Sequence, residues 1–139
     1  MALQYGVALR TAQMAAIETT IGVSPKLELR TGAPPANAGA ADTGTLLVSL
    51  SVPADFLTTA SGGAVGIASG PWTGTAGAGA AGGLVAGHFR LKDNAASVTH
   101  IQGTVSLTGA GGDLTMDNTN IAQNQAVNVT SFAITAANA

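Results

Sequence analysis

Thirty-four consecutive residues, from Phe56 to Phe89, carry no charged side chain. Ala, Gly, Ser and Thr make up most of that run. A second uncharged stretch extends from Asn118 to the C-terminus. Only 12 of 139 residues are Asp, Glu, Lys or Arg, or 9%, against roughly 25% in an ordinary soluble domain. Water-facing surface normally carries mixed charge that keeps a protein dispersed. A chain that omits it is expected to cover much of its surface with other protein.

The length of 139 residues fits one domain, 1–139, with room for a real core. The core is expected to be thin, because Ala (28) and Gly (19) make up about a third of the chain and there are five aromatics. Each buried Ala removes far less area from water than Leu or Phe, at roughly 25 cal/mol per Å². The formal charge of −2 and the scattered basic residues Arg10, Lys26, Arg30, Arg90 and Lys92 offer no patch for nucleic acid. Cysteine is absent, which excludes disulfides and thiolate metal sites. The start has no basic region followed by an apolar run, so no secretory signal is expected. Glycines interrupt the uncharged stretch too often for a membrane span.

Residues 3–21 read as the one helix. Leu3, Val7, Met14, Ile17 and Ile21 recur at helical spacing as one apolar stripe. Gly22 stands where a C-terminal cap belongs, and Pro25 prevents continuation. The stripe is expected either to lid a sheet or to dock as an arm on a neighbouring subunit. After Pro25 the period switches to two. Lys26–Arg30 places Leu27 and Leu29 inward, and Leu46, Val48, Leu50 and Val52 form another apolar face. A Gly- and Pro-rich loop, 31–44, separates these strands. Short strands are expected at 64–68 and 72–76, then at 84–92, 98–108 and 113–117. The last strand, 126–136, changes phase, which predicts a bulge near Thr130 or Ser131. One helix and about eight short strands predict a mainly β fold: an antiparallel β-sandwich or jelly roll over 26–137.

The chemical motifs are weak. Gly77–Gly82 matches G-x-G-x-x-G, but it precedes a strand rather than opening a helix. His88 and His100 fall out of phase with Phe89 and Ile101, so both are expected to point away from the apolar face. Two histidines and a carboxylate such as Asp93 fall short of a convergent ligand set. The stretch Asp113–Asn120 lacks the spacing of a calcium loop, and Asx turns explain Asp117, Asn118 and Asn120. No nucleophile elbow or metalloprotease helix is present. The expectation is a non-enzyme without cofactor or metal.

Several stretches are similar to small virion proteins of tailed bacteriophages and prophages. They are Lys26–Asn37, Ala41–Leu47, Gly87–Leu91, His100–Val105, Gly112–Thr119 and Ser131–Thr135. Within that group the chain resembles the jelly-roll capsid cement, or decoration, proteins of Bordetella-type short-tailed phages. The resemblance implies a structural role on the capsid exterior after synthesis in the host bacterial cytoplasm. It implies the major capsid protein as partner, with self-association as a homodimer rather than a trimer. Neither nucleic acid nor membrane is implied. A tail, fibre or baseplate component for host attachment is the alternative, and a small carbohydrate-binding β-sandwich a third reading. The expected interface residues are Leu3, Val7, Met14, Ile17 and Ile21 of the helix, with Val65, Ile67 and Trp72 of the uncharged stretch.

Overall fold

The computed structural model describes residues 3–136. Positions 1, 2 and 137–139, which complete the expected domain and sandwich, lie outside the described residues. The fold is mainly β, with one N-terminal helix, α1 (Val7–Ile21). Its strands are β1 (Lys26–Thr31), β2 (Leu46–Ser51), β3 (Ala64–Gly66), β4 (Trp72–Thr75), β5 (Leu84–Lys92), β6 (Thr99–Leu107), β7 (Leu114–Met116), β8 (Asn120–Ile121), β9 (Ala126–Val129) and β10 (Ala133–Thr135). Seven strands join side by side in the order β7-β6-β5-β1-β2-β4-β9, and β8 pairs with the start of β5. All these pairings are antiparallel except β6–β7. The sheet curls around one apolar cluster, and β3 and β10 form a separate antiparallel ribbon.

Period-two patterning fixes the register. Leu27 and Leu29 of β1 face Leu50 and Val48 across one edge and Leu91 and Phe89 across the other, and all six are buried. Opposing apolar side chains at these spacings are the stabilising unit of a sheet. The β5–β6 hairpin turns at Asp93. Its carboxylate accepts from the Ser97 and Val98 amides (2.7 and 3.0 Å) and from the Ser97 hydroxyl (2.7 Å). The Val98 amide bond chiefly holds this carboxyl below the usual aspartate range. The return from β6 into parallel β7 is pinned by Asp113, which accepts from the Thr104 amide and hydroxyl at 2.8 Å each. Gly103 is required there: a Cβ would lie 2.8 Å from both Asp113 Oδ2 and Phe89 Cε1.

Two expectations are corrected. The last strand has no bulge at Thr130 or Ser131. It breaks into β9 and β10, which pair with β4 and β3 in different sheets. The change of phase marks that switch, and Val127, Val129 and Phe132 all remain buried. Residues 60–83 also contribute to the molecule's own core, where Val65 and Trp72 were expected to meet a neighbour. Val65, Trp72, Ala76 and Ala80 are buried in the main cluster. Trp72 stacks edge-on against Phe56 (6.2 Å) and Phe132 (6.1 Å), and Phe132 against Phe89 (5.3 Å). Four of the five aromatics thus form one connected chain of T-shaped contacts, the geometry that ring quadrupoles favour.

Candidate interaction surface

Five of the twelve charged residues gather on one face of the sheet. Glu28 and Arg30 of β1 and Arg90 and Lys92 of β5 project from the sheet face opposite the core, alternating with the buried Leu27, Leu29, Phe89 and Leu91. Solvent does not cover that second face. The loop between β1 and β2 folds back over it and delivers Asp42 to the cations. Asp42 accepts from Arg90 Nη1 (2.6 Å), Lys92 Nζ (2.6 Å) and Arg30 Nη2 (2.9 Å). Glu28 accepts from Arg30 Nε (2.9 Å) and pairs with Lys92 (3.1 Å). Three cations share two carboxylates, and backbone carbonyls supply further acceptors. Arg90 Nη2 donates to Ala38 (2.6 Å) and Ala40 (2.9 Å), and Arg30 Nη1 to Gly44 (3.4 Å).

The same loop is stitched down elsewhere. Nδ1 of His88 donates to the Gly32 carbonyl (3.0 Å), and the Gln102 amide to the Pro35 carbonyl (2.7 Å). Burial works to raise the Asp42 carboxyl pKa. The Lys92 hydrogen bond and the charges of Arg30, Lys92 and Arg90 outweigh it and hold the group below the usual aspartate range. Arg90 is 1% exposed and His88 is fully buried. The expectation that both histidines point outward to the surface is therefore corrected for His88. It does leave the apolar face, but into a polar layer roofed by the loop. The two histidines do not meet either, because Thr104 is the register partner of His88. Sequence reasoning missed this clamp. Its signal was two period-two charge pairs on separate strands beside a long loop carrying one Asp. The clamp positions the loop, although the buried Arg90 Nε, His88 Nε2 and Gln102 Oε1 have no hydrogen-bond partner. Among the described residues no three His, Cys, Asp or Glu side chains converge as a metal site.

The opposite side is built from the two uncharged stretches, which zip together. β4 of the first pairs with β9 of the second, β3 with β10, and the start of β5 with β8. The side chains that face water there are Thr73, Thr75, Leu84 and Val85 from one stretch. The other contributes Asn120, Ala126, Asn128, Ala133 and Thr135. The two ends of the strand path, β7 and β9, flank a cleft of about 570 Å³ lined by Thr, Asn, Gln and Ser side chains together with Met116, Ile121, Val127 and one charged residue, Asp117. The glycine run 77–82 contributes a 3₁₀ turn, Ala78–Ala80, and opens no helix.

The helix extends this side beside β3. Thr11 Oγ1 accepts from the Gly63 amide (3.0 Å), and Arg10 donates to the Gly62 carbonyl (3.3 Å). Glu18 accepts from the amides of Phe56 (2.6 Å) and Leu57 (3.2 Å). The expected stripe divides along its length. Ile21 is buried, and Met14 and Ile17 pack half-buried against the core, so these three lid the sheet. Leu3 and Val7, at 71% and 58% exposure, overhang into solvent. The helix begins at Val7 rather than residue 3, and its C-terminal Gly22 takes the expected positive φ of 86°. Of the other expected interface residues, Val65 and Trp72 are buried and Ile67 half-buried in this chain's own core. Trp72 is therefore out of reach of a neighbour or a stacked sugar ring.

Among the described residues no helix is long and apolar enough to cross a membrane. No known family model, curated protein or solved structure matches this chain.

Proposed function

We propose that this chain is a capsid cement, or decoration, protein of a tailed bacteriophage. Made in the host cytoplasm, it binds the exterior of the shell, contacts the major capsid protein and bridges capsomers. The observation that carries this reading is the uncharged side. Two separate stretches of sequence that lack charge pair with each other through three sets of strands, and the side chains they expose are uncharged and mostly small, with Leu84 and Val85 as apolar exceptions. A surface of Thr, Ser, Asn and Ala approaches another backbone closely and buries no unpaired ion, which would be costly. A cement protein binds by area, and weak identical contacts repeated over a shell add up through multivalency. The charged clamp on the other side supplies the rigidity that such a bridge needs.

The test is add-back to shells that lack this protein. Thr73 is exposed at the centre of the neutral side, paired in register with Asn128. Thr73→Glu should abolish shell occupancy, read by cosedimentation and by density at the shell surface. Full occupancy by the variant, or density at the tail with none on the shell, would overturn the reading.

A further inference from the structure

The main sheet curls but does not close. β7 and β9 end its strand path, and among the described residues neither has a second strand partner. Hydrogen bonds on their paired sides fix where their backbones point. The Met116 carbonyl accepts from the Thr108 amide (3.0 Å), on the β6 side of β7. Successive residues of a strand turn their N–H and C=O groups to opposite edges. Thr115 therefore aims both of its groups away from β6. The Gln125 carbonyl accepts from the Ala76 amide (2.9 Å), on the β4 side of β9. By the same alternation Ala126 and Asn128 aim theirs away from β4. All three residues line the cleft of about 570 Å³ between the two strands. Its walls thus present main-chain donors and acceptors, and its floor of Met116, Ile121 and Val127 is buried and apolar. Neither edge carries the Lys or Pro that commonly blunts one.

We propose that this seam takes an extended segment of another polypeptide, which inserts as a strand between β7 and β9. The ligand class follows from the walls. Only extended main chain offers donors and acceptors at strand spacing to both edges. The direction follows from the topology. Counted through the pairings, β7 and β9 run in opposite directions. One strand between them is therefore antiparallel to one and parallel to the other. Antiparallel pairing is the more stable per residue, and β9 offers two outward residues against one on β7. The segment accordingly runs antiparallel to β9 and parallel to β7, which brings its C-terminal end beside Asp117. Asp117 is exposed and is the one charged residue lining the cleft, so the segment carries Lys or Arg at that end. Its alternate side chains turn inward onto Met116, Ile121 and Val127 and are apolar. Those between them are small and polar, like the exposed Thr115 and Asn128 that flank them. β9 spans 4 residues, about 13 Å, so the recognised stretch is short and its binding reversible. The site does not depend on the capsid reading, because the seam is present in the free protein.

The test offers the free protein an acetylated and amidated hexapeptide, Thr-Val-Thr-Val-Thr-Lys, and follows amide shifts and exchange by NMR. The Thr115, Ala126 and Asn128 amides should shift saturably and gain protection, while those of β1 stay unchanged. N-methylating the peptide's main chain removes its donors and should abolish these changes. Replacing its Lys by Glu should weaken binding by roughly threefold to tenfold, the size of reversing an exposed ion pair. Asp117→Lys in the protein should invert that preference. Asp117 is exposed, so the fold should persist, checked by unchanged circular dichroism. Asn128→Pro removes an N–H aimed at the cleft and leaves the β4 ladder intact. It should weaken binding by about fivefold, the worth of one main-chain hydrogen bond. No saturable shift at these amides with millimolar peptide would overturn the proposal. So would equal binding of the N-methylated peptide, or a Lys-to-Glu preference that Asp117→Lys does not invert. Shifts that follow protein concentration and ignore peptide would give the seam to a second copy, which also overturns it.

Discussion

The β1/β5 side and the β4/β9 side of this sheet are built on the same alternating strands but use their second faces in opposite ways. At β1/β5 both faces are covered, one by the apolar core and one by the 32–45 loop, and the second face holds Glu28, Arg30, Arg90 and Lys92. At β4/β9 only the core face is covered, and the outer one carries Thr73, Thr75, Ala126 and Asn128. At β1/β5 the charges fasten the chain to itself, and at β4/β9 the open face carries none. Asp55, Asp113 and Asp117 are exposed elsewhere. The contrast is between these two strand pairs: charge fastens one, and its absence leaves the other a face that a neutral surface can meet.

The largest test of that contrast is removal of the central cation. Arg90→Ala takes away three hydrogen bonds and leaves the Ala38 and Ala40 carbonyls and one side of Asp42 without partners. Breaking a buried ion pair from one side typically costs about 3–5 kcal/mol. Urea unfolding should show a loss of that size, and loop amides from 32 to 45 should exchange faster. A loss under about 1 kcal/mol would mean that the loop is held by something other than charge.

Acid should loosen the same side in a defined direction. The folded-state pKa of Asp42 lies below its unfolded value, because cationic partners prevail over burial. A depressed carboxyl stabilises the fold above its unfolded pKa, and that contribution is lost as pH falls through the folded pKa. Asp113, held down chiefly by the Thr104 amide, and Asp93 add the same sign. Stability should stay level with respect to these groups from neutrality down to about pH 5 and then fall. Asp42→Asn should be less stable than the parent at pH 7, with the difference shrinking towards about pH 2. Urea midpoints measured across that range read both curves. A constant difference would disconnect Asp42 from the acid limb.

Much of the fold was legible because β1, β2, β5 and β6 carry clean period-two patterns bounded by Gly, Pro and Asp. The clamp was not, since its partners are separated by about 50 positions in sequence and meet only once the loop folds back. Trp72 was misplaced for a related reason. Its own stretch is too poor in large side chains to make a core, and Phe56, Phe89 and Phe132 reach it from elsewhere in the chain. Of the helix stripe, Met14, Ile17 and Ile21 pack on the core, whereas Leu3 precedes the helix and Val7 is exposed. The stripe's division into lid and overhang depends on where the body ends, which periodicity does not encode.

Glu18 tests how firmly the helix belongs to the body. Its carboxylate is the acceptor for two backbone amides, Phe56 and Leu57, that precede the neutral β3 ribbon. Glu18→Ala should cost about 1.5–3 kcal/mol, the range for hydrogen bonds to a charged group. Exchange of those two amides should accelerate while those of β1 and β5 stay protected. Uniform acceleration would show that helix and sheet open together.

The smallest expected effect falls on the neutral side. Thr73→Glu places a charge on an exposed strand position. Surface substitutions of this kind usually stay within about 0.5 kcal/mol, so its urea curve should overlay that of the parent. A charge buried against a neutral partner surface has no counter-ion, and it carries a desolvation cost that the isolated protein never meets. The variant separates the two sides: Arg90→Ala should reduce stability in the free protein, and Thr73→Glu should be silent until a partner arrives. A destabilisation by Thr73→Glu as large as that of Arg90→Ala would mean that the neutral side is part of the fold's own fastening, and the distinction between the two regions would collapse.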